Sequence, residues 1–121
     1  MKIKGKVVSG CGEGSYYMSQ KIYLSQFKKK LGFTPFKGTL NIKVDNSVAV
    51  EDIKKKCKKI KGEGKFGDVL YIEAKLNDID GAIIFPLKTK HDNSIIEYIA
   101  PVKVREKLGL KDGDKVCIKV L

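Results

Sequence analysis

Residues 38–45 read GTLNIKVD. Leu40, Ile42 and Val44 alternate with Thr39, Asn41 and Lys43, the period of a strand with one buried face. Outward from this stretch, runs rich in isoleucine and valine recur between glycines and turn residues. They are Lys2–Val8, Val69–Leu76, Gly81–Leu87, Ser94–Ala100 and Lys115–Leu121. Strands this short and this frequent predict a mainly β fold, a small barrel of about six strands.

Two stretches depart from that period and predict short helices. Tyr23, Phe27 and Leu31 fall four apart and share one helical face. Lys28, Lys29 and Lys30 suit the negative end of that helix, and Gly32 suits its C-terminal cap, with Pro35 soon after. The second helix follows Pro101 in VKVREKLG, ends at Gly109, and leads into the turn Lys111–Asp114. The segment 51–67, EDIKKKCKKIKGEGKFG, is lysine-heavy with late glycines and reads as an exposed excursion or frayed helix. One domain over 1–121 is the expectation, because a chain of 121 residues can bury a core of its own.

The net charge is +11, and all but one of the 25 basic residues are lysines. Such a charge attracts polyanions, but a lysine bias of this kind also arises from genomic composition or a thermophilic surface. No specific nucleic-acid partner is therefore expected; any such binding should be weak, sequence-blind and salt-sensitive. Cys11, Cys57 and Cys117 are three in number, widely spaced and form no CxxC pair, which argues against a disulfide framework and a zinc ribbon. His91 is the single histidine, so a multi-histidine metal site is excluded. No apolar run is long enough to span a bilayer, and MKIKGKVV has no signal-peptide core. A cytoplasmic protein without a membrane partner is expected.

Residues 9–17, SGCGEGSYY, place Gly10, Gly12 and Gly14 directly after the first strand. The pattern is neither a P-loop, which needs GK[ST], nor the dinucleotide fingerprint GxGxxG. It suits a hairpin turn, and it equally suits a loop whose amides converge on an anion. Thr39 and Asn41 project from one strand face and offer neutral oxygens. That is a plain polar surface, or a ligand pair for Mg²⁺ when phosphates supply the charge. Glu97 lies inside the apolar run Ile95–Ile99, where a carboxylate needs a reason unless it points outward. Thr89 and Arg105 are the other polar residues of note; the planar fork of Arg105 can grip a phosphate, or pair on a helix surface with a glutamate.

The order of these blocks carries more than any one of them. GCGEGSYY, a helix ending LGF, TPFKGTLNIKVD, GAIIFPLKTKH and IIEYIAPVKVREKLGLKDGD together resemble the archaeal CTP-dependent riboflavin kinases, over nearly the whole chain except 51–67. The resemblance implies a cradle-loop β-barrel that transfers the γ-phosphoryl group of CTP to the ribityl hydroxyl of riboflavin, giving FMN and CDP. It implies that Gly10, Cys11, Gly12, Glu13, Gly14 and Ser15 form the nucleotide loop, and that Thr39 and Asn41 hold one Mg²⁺. It also implies that Thr89 and Glu97 lie on the flavin side, with Glu97 the candidate base or hydroxyl orienter. Val102, Lys103, Val104 and Arg105 would complete the nucleotide site, reading cytosine through main-chain atoms. Cys11 and Ser15 stand at loop positions where variation is expected. Many members carry an N-terminal DNA-binding extension, which this sequence, opening on a strand, is expected to lack. A monomer is expected.

The tail PVKVREKLGLKDGDKVCIKV also resembles the swapped-hairpin modules of AbrB-type transcription regulators. Those are much shorter and lack the GxGEG and GTLN blocks. A barrel that binds flavin or nucleotide without turnover is the third reading.

Overall fold

The computed structural model describes residues 1–10, 20–64, 66–87 and 94–121. The elements in chain order are β1 (Lys2–Val8), α1 (Lys21–Leu31), β2 (Leu40–Val44), α2 (Val48–Lys56), β3 (Lys58–Ile60), β4 (Val69–Leu76), β5 (Ile79–Pro86), β6 (Ile95–Ile99), α3 (Val104–Lys107) and β7 (Lys115–Val120). The strands pair in the order β3-β4-β5-β6-β2-β1-β7, and β7 returns to β4. That last pairing, Ala74↔Val120, Lys75↔Lys119 and Leu76↔Ile118, closes six antiparallel strands into a barrel. β4 serves two neighbours on one edge by dividing its length: Val69–Tyr71 pairs with β3 and Ala74–Leu76 with β7. Closure leaves the six barrel strands with few unpaired edges.

Alternation works as the sequence predicts on β1 and β2, where Ile3, Val7, Ile42 and Val44 point into the barrel. β5 differs: residues 81–86 are buried without alternation. Ile83 and Phe85 face the barrel interior, while Ala82 and Ile84 face outward and are covered by Tyr23 and Phe27 of α1. A strand with both faces covered has no solvent side to mark with polar residues. The four-residue spacing of Tyr23 and Phe27 serves this second core; both are fully buried. Phe27 meets Tyr71 edge-on at 6.2 Å between ring centroids, and the Tyr23 hydroxyl donates to Gly67 O at 2.7 Å. Gly32 ends α1 at φ 80°, the left-handed cap its position predicts.

A third helix joins the two expected. The lysine-rich segment, read as an exposed excursion or frayed helix, begins inside the helix α2, where Val50 and Ile53 are fully buried against the barrel core. It then continues as β3. Reading from Glu51 hides the apolar pair, because Val50 lies one residue outside the window and a single isoleucine shows no period. Lys54, Lys55 and Lys56 sit in the last turn of α2, as Lys28, Lys29 and Lys30 do in α1, at the negative helix end.

Part of the net charge is organised on the barrel exterior. Lys6 lies opposite Lys43 on β2 and Lys115 on β7, and Lys119 lies between Lys2 and Lys75. Facing like charges cost a few tenths of a kcal/mol per pair in water, which marks these rows as solvated surface. Cys57 and Cys117 are free; burial pushes the Cys57 thiol up to about 11, opposed by Lys54. Cys11 lies outside the described residues. No helix among the described residues is long and apolar enough to cross a membrane.

Candidate functional site

The β2–β6 ladder sets Asn41 directly opposite Glu97, and the β1–β2 ladder sets Val8 on the other side of Asn41. Glu97 is 2% exposed, the one buried charged residue among those described. It lies opposite Ile84 of β5 and on the same strand face as Ile99, and both isoleucines belong to the second core with Tyr23 and Phe27 of α1. Thr39, just before β2, donates its hydroxyl to Glu97 Oε1 at 3.0 Å. Thr39, Asn41 and Glu97 thus form one cluster of oxygen-bearing side chains.

Gly10 packs against that cluster. A Cβ built on Gly10 would stand 2.2 Å from Asn41 Nδ2 and 2.8 Å from its Cγ. The chain leaving β1 therefore crosses the Asn41 side chain at a distance only glycine allows. The obstructing atoms belong to a movable side chain, so the expected result of Gly10→Ala is displacement of Asn41 at a stability cost of about 1 kcal/mol or less. Thermal unfolding should be near wild type while turnover falls. A large loss of melting temperature would instead mean that Gly10 is required by the fold.

The donors here are a hydroxyl, a carboxamide and one carboxylate, all hard oxygens. Among the described residues no three of histidine, cysteine, aspartate and glutamate gather into a metal-holding group. The set fits Mg²⁺ sharing its coordination with phosphate oxygens, and does not fit a soft metal in a protein cage.

Arg105 reaches the same end of the barrel from α3. Its Nη2 donates to Asp112 Oδ1 at 2.8 Å and to Val8 O at 3.5 Å. The partner is an aspartate of the following turn, not the glutamate of a helix surface. Asp112 also accepts a short hydrogen bond from the Ser9 hydroxyl. The Ser9 hydroxyl first, and then Arg105, hold the Asp112 carboxyl below the usual carboxylate range. Ser9 and Asp112 were not singled out by sequence reasoning; 103 positions separate them, and no local pattern signals such a pair.

The remaining predicted residues divide into two groups. Val102 is 38% exposed, while the Val104 side chain is buried in the core and unavailable to a ligand. Lys103 caps α3 and pairs with Glu106 at 3.5 Å. Lys103 O accepts from the amides of Glu106 and Lys107, and Val104 O from that of Leu108. The amides of Glu106, Lys107 and Leu108 are thereby engaged within α3 and its cap. Cys11, Gly12, Glu13, Gly14, Ser15 and Thr89 lie outside the described residues.

The family model CTP-dep_RFKase, described as Domain of unknown function DUF120, matches residues 7–120. This chain belongs to the CTP-dependent riboflavin kinase family. Relatives of that family similar to it include the riboflavin kinase of Methanothermobacter thermautotrophicus, 50% identical over 93% of both chains. The riboflavin kinase of Methanosphaera stadtmanae is 44% identical over 99% of this chain and 98% of its own. That of Methanobrevibacter smithii is 46% identical over 98% and 99%. The family match takes in both the GCGEG and GTLN blocks, whereas the likeness to AbrB-type regulators is confined to the tail. The riboflavin kinase family, not the regulator, is the one to which this chain belongs.

Proposed function

We propose that the chain is a riboflavin kinase that moves the γ-phosphoryl group of CTP onto the ribityl 5′-hydroxyl of riboflavin, releasing FMN and CDP. The observation that carries the reading is the buried Glu97 hydrogen-bonded to Thr39 at 3.0 Å and facing Asn41 across the ladder. In the transfer, the hydroxyl oxygen bonds to the γ-phosphorus, the bond to the bridging β–γ oxygen breaks, and the hydroxyl proton leaves. Little covalent chemistry is asked of the protein, so positioning and charge compensation dominate the rate.

Glu97 is assigned to the acceptor hydroxyl, which it orients or deprotonates. Thr39 holds that carboxylate in one orientation through its hydrogen bond. Thr39 and Asn41 are the residues that would hold Mg²⁺, which when bound supplies charge neutralisation to the phosphate oxygens. Gly10 and the residues after it, Cys11 to Ser15, are assigned to the nucleotide phosphates. Arg105 and the main chain from Val102 are assigned to the remainder of the nucleotide, and Thr89 to the flavin.

The test is an assay of FMN formation from riboflavin with Mg²⁺ and equal CTP and ATP. FMN from CTP, with ATP spared, is expected. FMN from neither donor leaves a non-catalytic flavin or nucleotide barrel, and FMN from ATP alone overturns the CTP assignment. Within this scheme Asn41→Ala should lower turnover at limiting Mg²⁺ by about a hundredfold, while riboflavin affinity, read by flavin fluorescence, changes little. Unchanged turnover at limiting Mg²⁺ removes Asn41 from the metal site.

A further inference from the structure

The end of β1 is held by a turn from the other end of the chain. Val7 N–H donates to Asp114 O at 2.9 Å, and Gly113 N–H donates back to Val7 O at 2.8 Å. The turn itself is fixed by the Lys111 amide on Asp114 Oδ2 at 2.8 Å. On this rigid mount sits Asp112, whose two carboxylate oxygens go to different elements. One takes the Ser9 hydroxyl, and the other takes Arg105 at 2.8 Å.

Ser9 immediately precedes Gly10, which lies in close approach to Asn41. Asp112 therefore fixes two things at once: the direction in which the chain leaves β1, and the orientation of the Arg105 guanidinium. Arg105 spends a single nitrogen on Asp112 and Val8. The other donors of its fork are uncommitted among the described residues. The cluster borders a cavity of about 430 Å³ whose lining includes Lys6, Ser9, Lys43 and Asp112. An exposed ion pair alone would contribute little. A carboxylate divided between a loop entrance and a cation instead pre-organises both, and pre-organisation shows up as ligand affinity.

We propose that Asp112 is a positioning residue for the nucleotide, acting through Ser9 on the course of the chain at Gly10 and through the Arg105 guanidinium. The assignment rests on the kinase reading above. It does not place Asp112 in contact with substrate, and it concerns the nucleotide and not the flavin.

The experiment compares wild type with Asp112→Ala, Asp112→Asn and Asp80→Ala. Asp80 is an exposed carboxylate on β5, paired with Lys75 at 3.5 Å, and controls for the loss of one surface charge. CTP and riboflavin affinities are measured separately by calorimetry and flavin fluorescence, alongside KM, kcat and melting temperature. Asp112→Ala should raise the Kd and KM for CTP about tenfold, the scale of a lost charge-assisted hydrogen bond. Riboflavin affinity and melting temperature should stay near wild type. Asp112→Asn keeps an oxygen for Arg105 and a polar partner for Ser9, so it should recover most of the loss. Unchanged CTP affinity in Asp112→Ala overturns the proposal while leaving the kinase reading intact. So does a fall in both ligand affinities together with melting temperature, or an equal effect from Asp80→Ala. A wild-type protein that binds riboflavin but no CTP overturns the kinase reading, and this assignment with it.

Discussion

Glu97→Gln is expected to lower kcat for FMN formation by about 10²–10⁴-fold, with riboflavin affinity and folding little changed. Glutamine has nearly the shape of glutamate, and its carbonyl oxygen can still accept the Thr39 hydroxyl, which now donates to Oε1 at 3.0 Å. What it cannot do is carry negative charge or take a proton. Burying a carboxylate on the covered outer face of β6 is costly to the fold, so the neutral isostere should keep or raise the melting temperature. Falling rate with steady or rising stability is the pattern of a residue retained for chemistry. Steady-state kinetics and thermal unfolding of one preparation check both halves. A kcat within about threefold of wild type would falsify the placement of Glu97 at the reacting hydroxyl.

Gly81→Ala is expected to do the opposite, costing stability with no direct part in the chemistry. A Cβ at Gly81 would lie 2.1 Å from Ile99 O and 2.6 Å from the Tyr98 ring and hydroxyl. The backbone oxygen belongs to β6, whose Ile99 pairs with neighbouring Ala82, so it cannot move without opening the β5–β6 ladder. The Tyr98 hydroxyl is committed as well, its one proton shared between Ile79 O at 2.7 Å and Ala74 O at 3.1 Å. Burial pushes its phenol well above the ordinary tyrosine range, so it stays protonated, and therefore a donor, at neutral pH. Overpacking of about 1–3 kcal/mol, plus about 1 kcal/mol for the buried hydrogen bond disturbed, gives a loss of about 2–4 kcal/mol. For a chain of this size that is a fall in melting temperature on the order of 10–15 °C. A fall under about 2 °C would show that the strands shift apart cheaply and that Gly81 is not needed for space.

The two glycines show why contact with a site cannot be inferred from residue type. Gly10 and Gly81 both exclude a side chain, but one is crowded by the movable end of Asn41 and the other by the backbone of a neighbouring strand. Only the first crowding bears on the candidate site.

Much of the architecture is legible along the chain. Alternation in GTLNIKVD places Leu40, Ile42 and Val44 inward, and the spacing of Tyr23 and Phe27 selects the buried face of α1, because side-chain direction follows backbone period. The motif order was enough to indicate the family to which the chain belongs. Tertiary structure alone decided the return of β7 to β4, since pairing between strands so distant leaves no local mark. It also decided the burial of Glu97. The sequence shows a carboxylate among isoleucines, but whether that strand face meets water depends on what the fold packs over it. The Ser9–Asp112–Arg105 clamp is of the same kind: three ordinary polar residues become one device because barrel closure brings β1 beside the turn before β7. Local periodicity encodes which way a side chain points; what it meets there is set by long-range closure.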